Sequence, residues 1–164
     1  MKGVQMPRFH KFDIARSQLE TAVHIFLNQR NFSSVITLAG AASGILDELV
    51  RRAGKEPFVD YARRVHDAYA GKMPKRQSYF HHIEKLLGIS AHKHLAETDA
   101  PTVEIDLEKR AIDSLTRAVS DYIALRGQDE PFVQAFLGWT WENCNGKDLM
   151  EQYKAVPEKM RPLK

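Results

Sequence analysis

Apolar residues recur along this chain at three- and four-residue steps, the spacing that gathers them on one side of an α-helix. In the first such segment Ile14, Leu19, Ala22, Val23 and Phe26 fall together, and Glu20, His24 and Asn28 take the opposite side. The stretch "NFSSVITLAGAASGILDELVRRAG" predicts a second helix, capped at Ser33 or Ser34 and ended by Gly54 after Arg51 and Arg52. Val35, Leu38, Ala42, Ile45 and Leu49 form one stripe of it, and Ile36, Ala39, Ser43, Leu46 and Val50 a second. The remaining side is small, with Thr37, Gly40, Ala41 and Gly44. A helix apolar or small on nearly every side belongs in the core, and its small side admits another backbone. "GAASG" lacks the Lys-Ser/Thr ending of a phosphate-cradling loop, and no strand precedes it.

The next helix is predicted between Pro57 and Gly71, with Phe58, Ala62, Val65 and Tyr69 inward. Pro74 opens another, to which Tyr79, Ile83, Leu86 and Leu87 contribute the apolar side and Gly88 an interruption. Pro101 biases Ala100–Asp106 toward an extended, docked connection. Asp106 then caps "LEKRAIDSLTRAVSDYIALRG", where Ala111, Leu115, Val119 and Tyr122 face inward. Asp113 stands four residues before Arg117, the spacing of a favourable surface pair. Pro131 starts a helix through Trp139 and Trp141 that is apolar over a wide arc, so it closes the core or meets a second subunit. The chain reads as an all-α, single-domain bundle of about five to six helices over 10–145. A polar tail follows over 146–164, with room for one short helix and a loose "VPEKMRPLK".

Composition narrows the setting. With 164 residues, 43% hydrophobic and 27% charged, one domain can bury its own core. Cys144 is the only cysteine, which excludes an internal disulfide and a cysteine-based zinc site and suits a cytoplasmic location. No apolar run approaches the roughly 20 residues a bilayer span needs. The opening "MKGVQMPRFHKFDIARSQ" lacks the apolar stretch of a secretory leader, so no membrane partner is expected. The formal net charge of +3 is scattered, which permits a nucleic-acid partner without demanding one.

Candidate chemistry concentrates in two places, "RQSYFHH" and "SAHKHLAETD". His92, His94 and Glu97 or Asp99 could approach a metal only if the helix ended by Ser90, and His-x-His without further spaced ligands is weak support for one. Arg76 and His81 are five residues apart, about 140° around a regular helix, so they share a site only through a distorted first turn or a second subunit. The bland alternative is that these histidines and Lys93 are surface residues, with Lys93 pairing to Glu97.

The stretch "AVHIFLNQRNFSSVITLAGAASGILDELV" resembles the opening of a bacterial family of small helical proteins that carry "AI-x-LFF" and "TLAGAA-x-x-IL" helices. A later "N-F-F-K-H-A-D" of that family matches "SAHKHLAETD", which sets Lys93 and His94 on its Lys-His pair and Ser90 where it has asparagine. That family brings no activity with it. "RQSYFH" is similar to the signature of the HEPN superfamily, an arginine followed after four to six residues by a histidine. This resemblance implies a helical bundle, homodimerisation, and binding or metal-independent cleavage of RNA or nucleotides. A histidine would move the proton of the ribose 2′-OH, and arginine or lysine would hold the phosphorane charge. The expected site residues are therefore His94, Lys93, His81 and Arg76, with no cofactor and no metal. The alternative is a non-enzymatic interaction module or homodimeric scaffold.

Overall fold

The computed structural model describes residues 6–163; residues 1–5, which open the segment read for a leader, and residue 164 lie outside that range. The described residues are all-helical and form no strand. The helices are α1 (Lys11–Asn28), α2 (Phe32–Arg52), α3 (Phe58–Ala70), α4 (Arg76–Leu86), α5 (Ile89–Lys93), α6 (Leu107–Arg126), α7 (Pro131–Asn143) and α8 (Gly146–Ala155). The expected count of five to six is thus corrected to eight. Gly88, at φ +77°, breaks the helix opened near Pro74, and the chain restarts as α5; the tail supplies α8.

Helix α2 is the centre of the bundle, held between α1 and α6. Leu19, Ala22 and Val23 of α1, Ile36, Ala39 and Leu46 of α2, and Ala111, Leu115 and Ala118 of α6 are fully buried. By length and composition α2 alone among the described helices could cross a membrane, contrary to the reading of the apolar runs. Half of its apolar window is nonetheless buried inside the bundle. Its cap is Asn31, whose Oδ1 accepts from the Ser34 N–H at 3.2 Å, rather than either predicted serine. Asp106 caps α6 as expected, accepting from the Lys109 N–H at 3.0 Å.

The small side of α2 serves two ends. A Cβ at Gly40 would stand 2.6 Å from Ile89, so this glycine lets α5 seat directly on α2. A Cβ at Gly44 would meet nothing within 4 Å, so that position borders open space.

Three further expectations change. Val59 is the fully buried residue of α3, whereas Tyr69, predicted inward, is 80% exposed because the helix runs out past the body. Asp113 pairs with Lys109 and Arg110, not Arg117. Arg117 lies on the inward stripe of α6 with Ser114 and Asp121 and is fully buried. The C-terminal segment is also docked. Arg64 of α3 grips Glu56 at 2.9 Å and donates to the carbonyls of Lys159 and Arg161, and Met160 is buried.

Candidate functional site

Two concavities flank α4. The larger, about 840 Å³, lies between α4, α5, the 94–106 connection and the start of α6. Helix α4 contributes His81 and Lys85, the end of α5 contributes His94, and α6 contributes Arg110. Val103 and Ile105 form an apolar wall. Asp99, Glu104 and Asp106 also border it. Two of these carboxylates are committed to the backbone: Asp99 accepts from the Ala96 N–H at 2.8 Å, and Asp106 caps α6.

The cleft owes its shape to Gly88. The Ile105 side chain occupies the place a Cβ at Gly88 would need, so the missing side chain lets the connection dock. His92 fixes α5 from the other direction. Its Nδ1 lies 2.7 Å from the Gly88 carbonyl and its Nε2 lies 3.2 Å from Ser33 Oγ. A carbonyl only accepts, so Nδ1 carries a hydrogen and Nε2 bonds the Ser33 hydroxyl. His92 is therefore spent on tying α5 to the start of α2. Among the described residues no three His, Cys, Asp or Glu side chains converge on one point.

The smaller cavity, about 430 Å³, lies across His81 from the first. Arg76, Gln77 and Phe80 border it from α4, and Gly44, Asp47, Glu48 and Arg51 from α2. Its charges are already paired. Arg76 donates from Nε to Asp60 at 3.0 Å and from Nη2 to Asp47 at 2.6 Å. Burial opposes the Arg76 charge, but the Asp47 hydrogen bond and the charges of Asp47 and Asp60 outweigh it and raise its pKa. Glu48 takes both Arg51 and Arg52, at 2.8 and 2.9 Å.

Behind this cavity lies a polar seam between α2 and α6, formed by Ser43 and Asp47 on one helix and Ser114, Arg117 and Asp121 on the other, all buried. The Arg117 guanidinium sits 4.9 Å from the centre of the Phe80 ring. Its nitrogens make no hydrogen bond to a described residue. Burial lowers the Arg117 pKa, against the pull of Glu84, Asp121 and Asp47. Asp121 Oδ1 accepts the Phe58 N–H at the start of α3, at 2.7 Å. Burial pushes the Asp121 carboxyl up to about 7, the Phe58 bond and Arg117 opposing and Asp47 reinforcing.

Of the four residues nominated from sequence, His81 and His94 border the same cleft. Arg76 is drawn into the Asp47–Asp60 network and meets His81 only at the smaller cavity. Lys93 reaches Glu84 at 3.7 Å rather than the expected Glu97, and does not border the cleft. Sequence reading missed Lys85, Arg110 and the whole seam. The seam had a signal: polar residues at 43 and 47, and at 114, 117 and 121, fall at helical steps on apolar stripes. Comparison with family models, curated proteins and solved structures finds no match.

Proposed function

We propose that the protein binds single-stranded RNA or a nucleotide in the larger cleft and cleaves the phosphodiester by metal-independent histidine chemistry, in the manner its HEPN-like motif implies. The observation that supports this is that His81 and His94, from separate elements, border one cleft together with Lys85 and Arg110. In the proposed reaction a neutral imidazole takes the proton of the ribose 2′-OH, and that oxygen attacks phosphorus. The P–O5′ bond breaks as the second imidazole, protonated, delivers its proton to the departing 5′-oxygen. The products are a 2′,3′-cyclic phosphate and a free 5′-hydroxyl, and the two imidazoles have exchanged protonation states. Lys85 and Arg110 hold the phosphorane charge. Lys85 and Arg110, the latter shared with Asp113 at 3.1 Å, face three carboxylates in this cleft, so a protonated imidazole adds to the hold on a phosphate. Arg76 and Lys93 act as positioning residues, the first joining α4 to α2 and α3, the second joining α5 to α4.

The test is cleavage of an end-labelled mixed RNA in EDTA, beside the His81→Ala and His94→Ala variants. Cleavage that survives chelation and falls about 100-fold or more in both variants supports the paired-imidazole reading. No cleavage above a mock preparation, or cleavage unchanged in both variants, overturns it.

A second reading, an interaction module or homodimer, is favoured by a different observation. Trp141, Leu149 and Tyr153 are 55%, 47% and 45% exposed on α7 and α8. Light scattering beside the cleavage assay tests it: a dimer that dissociates in a Trp141→Glu variant, formed by a chain that cleaves no RNA, supports the scaffold, and a monomer at all concentrations removes it.

A further inference from the structure

His81 borders both concavities, the only residue that does so among those lining either one. Building on the RNA-binding reading of the larger cleft, we infer that the smaller cavity is a nucleobase subsite, so that the two concavities take consecutive nucleotides of one strand with their bridging phosphate at His81.

The character of the smaller cavity fits a base and not a phosphate. Its two carboxylates, Asp47 and Glu48, and its two guanidinium groups, Arg51 and Arg76, are paired with one another or with neighbours. It therefore offers no uncommitted cation to an anion. It does offer an aromatic ring, Phe80, and the Gln77 amide, which bonds no described residue and whose oxygen and nitrogen can both hydrogen-bond a base edge. The Arg117 guanidinium 4.9 Å from the Phe80 ring centre holds that ring from the interior side. Gly44 completes the fit. No atom lies within 4 Å of the place its Cβ would occupy, so the α2 backbone is open to a flat ligand. A volume of about 430 Å³ is in the range of sites that enclose small organic ligands. The larger cleft has the complementary character, with uncommitted imidazoles for the phosphate.

The arrangement implies a preference for single strands of at least two nucleotides. Stacking one more base on an aromatic side chain tightens binding about tenfold, within the range of such contacts. The experiment is calorimetric titration of the full chain with three probes: adenosine, adenosine 3′-phosphate, and an adenylyl-adenosine dinucleotide whose first ribose carries a 2′-O-methyl group, which removes the nucleophile. The dinucleotide is expected to bind about tenfold more tightly than adenosine 3′-phosphate. Gly44→Leu, which fills the cavity from a position with free space, is expected to bring that ratio down to about one. Phe80→Leu, which keeps an apolar side chain but removes the ring, is expected to lower it as well. If adenosine 3′-phosphate binds but the dinucleotide binds no more tightly, the subsite is wrong and the cleft reading stands. If the ratio is tenfold yet unchanged in both variants, the second base sits elsewhere and the inference fails. If none of the probes binds, the proposed function itself falls.

Discussion

Replacing Asp121 by asparagine should make the protein more stable at neutral and alkaline pH, against the expectation that removing a buried charge near an opposite one destabilises. The carboxyl holds its proton to about pH 7 in the folded chain and releases it near 3.8 when unfolded. Between those values the folded state binds the extra proton, so this group makes stability fall as pH rises. Below pH 3.8 the two states carry the same charge here and the contribution vanishes; above 7 the full cost of a buried carboxylate is present. A shift of about three units, at 1.36 kcal/mol per unit, sets that cost at about 4 kcal/mol. Asparagine keeps an oxygen for the Phe58 N–H and has nothing to ionise, so helix α3 keeps its anchor. Urea unfolding followed by circular dichroism from pH 4.5 to 8 measures the difference between the variant and the parent. That difference should grow in favour of asparagine by about 3 kcal/mol across the range, with unchanged m-values. Subtracting the two curves removes every other titrating carboxylate. A difference that instead moves against asparagine as pH rises would show that ionised Asp121 gains more from Arg117 than it loses by burial, and would refute the reasoning.

The two interior glycines of α2 should respond in opposite senses. Gly40→Ala should destabilise by about 1–3 kcal/mol in thermal or urea unfolding, because its Cβ would stand 2.6 Å from Ile89. Gly44→Ala should stabilise by about 0.5–1 kcal/mol, since helix propensity gains and nothing is displaced. Arg64→Ala should release the C-terminal segment, losing hydrogen-exchange protection over 158–163 and about 1–3 kcal/mol of stability. Unchanged exchange there would mean that Met160 burial and the remaining bonds, such as Leu163 N–H to Glu56, hold the segment.

Helical periodicity placed the core within the long helices, where an apolar stripe is buried along its length, but not at helix ends such as Tyr69 and Leu86. Leu19, Val23, Ala39, Leu46, Leu115 and Val119 all lie where the spacing put them. The glycine and proline punctuation at Pro57, Gly71 and Gly88 also marks real ends, since a left-handed φ or a fixed one is written into those residues. What spacing does not carry is the partner of a charged side chain. Arg117 and Asp113 satisfy the surface-pair rule, yet position 117 also falls on the buried stripe, and the tertiary demand prevails. The candidate site was legible only in its residue types. That His81 and His94 meet at one cleft depends on Ile105 lying over Gly88, a contact between residues far apart in sequence. The family match set His94 apart from His92 in sequence, and the bonds of His92 to Gly88 and Ser33 give that difference a structural form.

The buried seam has a consequence for how this chain can vary over descent. Ser43, Asp47, Ser114, Arg117 and Asp121 lie in one buried contact between two helices, with Arg76 and Phe80 over it. A single apolar replacement strands whichever charge remains, whereas replacing the whole group together loses little and can gain. Intermediate genotypes are therefore the costly ones. The expected trace among descendants is covariation: lineages keep these positions as a block or exchange them as a block, while the leucines and alanines around them drift one at a time.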